Sequence, residues 1–531
     1  MIDILLIQPP IEDFYLTKKR TIPYGLISLA ASLIKNDFST EIFDGLATPK
    51  SRIIDLPENM QYLREFYPMP DQSSFGLFYH FRHFGYSYQH IGQIAGRSGA
   101  FLVGISSLFT AYSEQALVTA SIVKKYHPNC KIVIGGHHPT QLPRNVIGHP
   151  AVDYILRGEA EESLPLLAKA IQNGHSPNGI PGIVYQKPNQ ELFISDPAVV
   201  RKLDDIPTPS MELIKHQFYQ RSGKNSMVIA TSRGCPMKCS YCSVSATSAI
   251  PFRQRSVSRV LDEIEQGVEK HNVGFIDFED ENLSLNRQWF QELLKEIQSR
   301  YRAKAVELRA MNGLLPTTLD EKLIESMKLA GFKTLNLSLC STSKTQLKRF
   351  QRPDASKAFD KALGIAEKLG LDAVGYIIVG GPDQAPEESV ADLLFLASRK
   401  VLAGVSVFYP APGSKEYDNC QRLGLLPTAF SLMRSTALPL SQSTTRLDAV
   451  TLLRLGRVLN FMKNLKAPHE GGSKSLSDKY KSGEKLLEHF IKSGNILGVD
   501  PDGQNFEHPI SRKLTRQFIK GLKDIRVRSN I

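Results

Sequence analysis

Short apolar runs bounded by glycine, proline or charge alternate, over the first two hundred residues, with longer stretches whose apolar positions recur every three or four residues. The runs "IDILLIQ", "STEIFDG", "AFLVGISS", "KIVIGG" and "VDYILRG" predict strands, and "GLISLAASLIKN", Tyr112 to about Tyr126 and "EESLPLLAKAIQ" predict helices. Strands alternating with helices imply an α/β fold with a doubly wound parallel sheet of Rossmann-like type, here residues 1–200. Residues 53–95 interrupt it with Phe66, Tyr67, Phe75, Phe78, Tyr79, Phe81, Phe84, Tyr86 and Tyr88. These aromatics either pack an inserted subdomain or line a large flat ligand.

"RKLDDIPTPS", polar and punctuated by proline, opens a linker over residues 201–225. A second alternating series fills residues 226–425. "SMVIATS", "VGFIDFED", "KAVELRA", "TLNLSLC", "AVGYIIVGG" and "GVSVFYP" predict six strands of a partial (β/α)6 barrel, with its working residues at the C-terminal strand ends. Residues 426–531 turn to helices and polar loops, and "KAPHEGGSKSLSDKYKSG" is the most loop-like stretch.

At 531 residues the chain exceeds one core, and 42% hydrophobic with 22% charged residues is ordinary for a soluble protein. The opening apolar run is too short for a signal peptide, and no stretch reaches the roughly eighteen apolar residues of a membrane span. Six cysteines without regular spacing form no disulfide framework, so the expected compartment is cytoplasmic. The charge is uneven. From Ser441 to Ile531 there are 17 Lys and Arg against 9 Asp and Glu, about +8 of the total of +12, which favours an anionic partner or surface.

"TSRGCPMKCSYCSV" places Cys235, Cys239 and Cys242 in one loop after a predicted strand. A closed zinc site needs a fourth ligand, and no further Cys or His stands nearby at ligand spacing. Three thiolates suffice for a 4Fe–4S cube that leaves one iron open. Cys-x3-Cys-x-aromatic-Cys, with Tyr241 as the aromatic, resembles the signature of the radical S-adenosylmethionine (SAM) superfamily. "VGISSLFTAYSEQA", "IVIGGHHPTQLP", "VDYILRGEAEESLPLL" and "KLDDIPTPSMELI" resemble the cobalamin-binding domain and linker that precede the barrel in the cobalamin-dependent members. The likeness covers roughly residues 1–425.

The resemblance implies three cofactors, a 4Fe–4S cluster on the three cysteines, SAM and cobalamin. It places Tyr241, Glu279, Asp280, Ser338, Gly380 and Gly381 about SAM, and Gly104, Ser106, Gly135, Gly136 and His138 about cobalamin. The acidic run Glu279–Glu281 is alternatively a solvated turn, and His137 and His138 line a pocket more readily than they bind cobalt. Cys340 stands where relatives carry Glu. It either fills space or faces the site as a thiol, the one candidate catalytic residue, and Ser338 or Ser341 substitutes for the missing polar contact. "FDGLATP" has Asp44, but Leu46 where a cobalt-binding histidine would stand, so the lower face of cobalamin is expected to lack a protein nitrogen.

The implied activity is methyl transfer from SAM via methylcobalamin to an unactivated carbon, with electrons from a flavodoxin- or ferredoxin-type donor. Ring formation or rearrangement with the same cofactors is the alternative. RNA modification ranks below both, because methylthio-transferring relatives carry extra N-terminal cysteines where this chain has only Cys130, and nucleic acid is not an expected partner. A mere cobalamin-binding protein does not account for the cysteine triplet. The acceptor is a small molecule or a lipid. "SRKLTRQFIKGLKDIRVRS" sets Leu514, Phe518, Leu522 and Ile525 on one helical stripe beside basic residues. That stripe either packs on the protein's own core or lies peripherally on the inner surface of a membrane.

Overall fold

The computed structural model describes residues 2–14, 22–78, 80–246, 251–464 and 474–529. Five parallel strands form the first sheet: β1 (Ile4–Gln8), β2 (Thr40–Asp44), β3 (Leu102–Ser106), β4 (Lys131–Gly135) and β5 (Tyr154–Leu156). Antiparallel β6 (Ile183–Gln186) and β7 (Leu192–Ile194) extend it in the order β7-β6-β5-β4-β3-β1-β2. The order reverses between β1 and β3, so a crevice for a ligand opens at their carboxyl ends. β1 is buried along four of its five residues, as its continuous apolar run requires of a strand covered on both faces.

The six strands of the second series are β8 (Lys224–Ile229), β9 (Val273–Phe278), β10 (Glu307–Ala310), β11 (Thr334–Cys340), β12 (Asp372–Val379) and β13 (Leu402–Val407). Neighbours are parallel within each half, and a parallel bridge between Leu314 and Leu337 joins the halves into one open barrel. Every residue of β9 is buried. Helix α1 (Val257–Lys270) buries Val257, Val260, Leu261, Ile264 and Val268, the stripe of a 3.6-residue period, and begins where Ser256 Oγ accepts from Arg259 N.

The aromatics of residues 53–95 pack. Phe75 meets Phe461 edge-on at 5.4 Å, and Phe81 and Tyr67 both contact Phe14. Tyr79 lies outside the described residues. Part of the expected loop over residues 466–483 is also outside them, but from Lys474 the chain is helix, α2 (Lys474–Ser493). This corrects the loop reading: buried Leu486 and Phe490 anchor the helix to the core.

The membrane reading of the C-terminus is corrected too. In α3 (Arg512–Ser529), Leu514 and Phe518 are fully buried and Leu522 nearly so, within the core that the barrel shares with its helices. An apolar stripe enclosed by its own protein is not offered to a bilayer. No helix among the described residues is long and apolar enough to cross a membrane.

Candidate functional site

The cysteine loop leaves β8 at Ala230 and is tied down from several sides. Asp280, 2% exposed at the end of β9, accepts from Thr231 N at 3.2 Å, Thr231 Oγ1 at 2.6 Å and Ser232 Oγ at 2.5 Å. Burial raises its pKa, with these hydrogen bonds opposing. Asp280 therefore holds the loop, a role that the reading from sequence did not give it. Its neighbour Glu279 is half-buried at the same strand end, where its backbone carbonyl accepts from Asn312.

Within the loop, Gly234 takes φ 84°, a left-handed turn that places Cys235. Ser240, buried between two cysteines, donates to Arg349 O at 3.1 Å and Glu416 Oε1 at 2.8 Å. Tyr241 packs edge-on against Phe350 at 4.8 Å. Cys239 is 4% exposed, and Cys235 and Cys242 are half-buried. Burial raises the Cys235 thiol pKa. Among the described residues no three His, Cys, Asp or Glu groups are placed to hold a single metal ion. A four-iron cube takes each thiolate on a different iron, so this loop, with three sulfur donors and a fixed backbone, fits it.

Arg352, which sequence reasoning missed, joins this loop to β11. Its guanidinium donates to Cys239 Sγ at 3.6 Å, Tyr241 Oη at 3.3 Å, Ser338 O at 3.2 Å and Ser338 Oγ at 2.9 Å. Ser338 thus stands beside the cysteine loop, whereas Ser341 donates to buried Asp392. Cys340 is buried next to this group in a left-handed conformation, φ 73°, and burial pushes its thiol up to about 12. A neutral thiol packed against Phe350 and Phe408 fills space and is no ready nucleophile. Gly380 and Gly381 follow β12. A Cβ at Gly381 would strike the Gln346 side chain, so that glycine answers to the protein's own packing.

At the carboxyl edge of the first sheet, Gly136 takes φ 121°, and a Cβ there would lie 2.5 Å from Ser107 O. The loops after β3 and β4 therefore touch. Ser107, missed in favour of its half-buried neighbour Ser106, is 4% exposed and its Oγ has no hydrogen-bond partner. Leu108 and Phe109 beside it are 43% and 56% exposed. A buried hydroxyl without a partner below exposed apolar side chains, at the switch point of the sheet, fits a large corrin-type ligand. A Cβ at Gly135 would meet nothing nearer than 3.6 Å. A Cβ at Gly104 would lie 2.7 Å from the Leu6 side chain, so this glycine also serves the core. His138 is buried, accepts or donates through Nδ1 at 3.3 Å from Thr110 Oγ1, and meets Phe430 edge-on at 5.0 Å. Burial pulls its pKa down to about 4, so it is neutral near pH 7. His137 is exposed. Asp44 accepts from the Tyr219 hydroxyl and from Leu46 N, and Leu46 is buried with Ile11 and Phe84.

The two sheets are joined by ion pairs to which the reading from sequence gave no role. Arg233, two residues before Cys235, contacts Glu161 at 2.5 Å, and Arg253 contacts Glu159 at 2.7 Å. The helical turn of His138 meets the barrel as well, since Gly413 lies against Gln141.

Comparison with known proteins gives two family matches in chain order: the B12 binding domain over residues 82–168 and the radical SAM superfamily over residues 229–396. An uncharacterized methyltransferase of Pyrococcus horikoshii is 27% identical over 432 residues, 80% of this chain and 84% of that protein. An anaerobic magnesium-protoporphyrin IX monomethyl ester cyclase of Cereibacter sphaeroides is 26% identical over 275 residues, 51% of this chain and 45% of its own. The radical SAM methyltransferase TsrM of Kitasatospora setae, solved with cobalamin and a [4Fe-4S] cluster, shares the fold at a TM-score of 0.62 and 16% identity, covering 92% of this chain and 99% of that one.

Proposed function

We propose that the chain, which carries the B12 binding and radical SAM matches in that order, is a cobalamin-dependent radical SAM methyltransferase acting on an unactivated carbon of a small molecule. When bound, the cluster with SAM supplies a hydrogen-abstracting radical and cobalamin supplies the methyl group. The observation that carries the reading is the pairing of Arg233 with Glu161 beside the cysteine loop, which fastens that loop to the sheet whose carboxyl edge carries Ser107 and Gly136. A carbon radical is quenched by any hydrogen donor that it meets, so a rigid junction that holds the methyl source close is what this chemistry needs.

Cys235, Cys239 and Cys242 would hold the cluster. Tyr241, Glu279, Ser338, Gly380 and Gly381 would border SAM; Ser106, Ser107, Gly135, Gly136 and His138 would border cobalamin. The protein's own work is positioning. Asp280 fixes Thr231 and Ser232, Ser240 fixes the middle of the loop, and burial of Cys239 keeps water from it. Leu46, enclosed by Ile11 and Phe84, offers no donor to cobalt. We take residues 1–200 as the cobalamin unit, 201–225 as linker, 226–425 as the radical unit and 426–531 as the helical region that closes it. A flavodoxin- or ferredoxin-type protein would supply the electron.

The test is anaerobic reconstitution with iron, sulfide, SAM, cobalamin and a low-potential reductant, followed by mass spectrometry of candidate acceptors. A gain of one CH2 together with deoxyadenosine supports methyl transfer. Loss of hydrogen, or an unchanged mass with an altered skeleton, supports the ring-forming reading that the likeness to the cyclase favours.

A further inference from the structure

Arg352 lays a cationic side chain directly on a cysteine of the loop. It comes from the turn after a short helix, Lys344–Arg349, that follows β11. One guanidinium nitrogen, Nη1, is shared by Cys239 Sγ and the Tyr241 hydroxyl; the other, Nη2, is shared by the carbonyl and hydroxyl of Ser338. Its Nε is buried without a partner, so the group is committed to this place by its fork and not by a ring of carboxylates. The groups that face its charge are Tyr241, Cys340 and Cys239, with no carboxylate among them, so the charge is directed at sulfur.

We propose that Arg352 is a positioning residue that sets the reduction potential of the cluster, by donating to the Cys239 sulfur and holding a fixed positive charge beside it. The proposal rests on the reading of Cys239 as a cluster ligand. Reduction adds one electron, and so one negative charge, to the cube. A positive group and an N–H donor at a ligand sulfur stabilise that added charge, which raises the potential. Arg suits the task because it stays protonated when half-buried and its planar fork can span two strand ends. Through Ser338 the same group fixes the distance between the cysteine loop and β11.

The experiment replaces Arg352 by Met, which keeps an unbranched stem of similar length against Tyr241, and separately by Gln. Each reconstituted full-length protein is titrated potentiometrically with detection by electron paramagnetic resonance, without SAM, so that a role in binding SAM cannot contribute. Iron per chain is measured in parallel. Both variants are expected to retain the wild-type iron content and to be harder to reduce, with the ratio of reduced to oxidised cluster at least tenfold lower at a fixed potential, about 59 mV for one electron. Tyr241→Phe, which leaves the bond to sulfur in place, should stay near the wild-type potential. A wild-type potential in either Arg352 variant with its cluster intact overturns the proposal. If neither variant retains iron, Arg352 is needed to assemble the loop, and the claim that it tunes an assembled cluster fails. Failure of the underlying reading is seen elsewhere: wild-type protein that takes up no cluster, or Cys239→Ala that keeps one.

Discussion

Replacing Glu161 by Gln should loosen the cysteine loop without touching any cofactor. The Glu161 side chain is 8% exposed and that of Arg233 is 22% exposed, with 2.5 Å between them. Ser28 Oγ also donates to the same Glu161 oxygen at 3.1 Å. Removing one member of a buried pair typically costs about 3–5 kcal/mol. Here Arg233 is partly solvated and keeps Glu159 at 3.7 Å, so a loss of about 2 kcal/mol is expected after that relief. That is roughly a 30-fold larger opening constant for the segment, since ~1.4 kcal/mol is a factor of ten. Hydrogen exchange read by mass spectrometry on peptides spanning residues 157–163 and 229–242 of the apo-protein measures it. Burial raises the Glu161 carboxyl, but the Arg233 charge and the hydrogen bonds from Arg233 and Ser28 outweigh it and hold the group below the usual range. A lowered carboxyl stabilises the folded state above its unfolded pKa and stops doing so as pH falls through its folded value. The gap between wild type and variant should therefore close below about pH 4. Equal exchange in the two proteins, or strictly additive effects of Glu161→Gln and Arg233→Gln, would refute the clamp.

Four further outcomes are expected. Cys235→Ala, Cys239→Ala and Cys242→Ala should each abolish the oxygen-sensitive chromophore, while wild type should approach about four iron atoms per chain by iron analysis, because the other three cysteines are not gathered for a second cube: Cys130 lies in the core of the first sheet, and only Cys340 and Cys420 share the packing beside Tyr241. The cob(II) form should show no nitrogen superhyperfine splitting in its paramagnetic resonance spectrum; splitting that disappears in His138→Ala would instead make that residue a ligand. Phe518→Ala should cost about 3–5 kcal/mol in chemical denaturation, since the ring is fully buried, and the intact protein should not float with anionic vesicles at low salt. Burial pushes the Asp392 carboxyl up to about 6 against hydrogen bonds from Thr342 and Ser341, so the native state binds its proton more tightly than the unfolded chain. Stability should accordingly fall as pH rises from about 4 to 6, and Asp392→Asn should flatten that slope in urea midpoints.

What could be read along the chain was whatever is written locally. The six barrel strands are short apolar or alternating runs, of which β9 is buried at every residue, and such runs bounded by turn residues have few other fates. The cysteine triplet is local too. Arg352 lies 113 residues from Cys239, and no spacing rule connects them. Adjacent carboxylates Glu279 and Asp280 leave a strand end in different directions, and only the packing tells which one meets Thr231. Glycines gave the most misleading signal. Gly104 avoids a side chain of its own core, whereas Gly136 lets two loops of the binding edge touch, and the sequence writes both with the same letter. The stripe of Leu514, Phe518 and Leu522 was visible as a stripe, but periodicity does not say what covers it.

The packing of residues 53–95 bears on the order in which the molecule can be built. Asp71 accepts from His508 Nε2 across 437 residues of chain, and from the backbone of Val499; Arg454 donates to Phe66 O; Phe75 sits against Phe461. Synthesis proceeds from the N-terminus, so these particular contacts wait until the last helices have emerged, while the contacts of the segment with Phe14 can form early. Closing so long a loop costs little more than closing a shorter one, because the entropy grows only with the logarithm of length, but it must come last. The first sheet and much of the six-stranded barrel can form before then, so the contacts that join residues 53–95 to the C-terminal helices are the closing step of assembly.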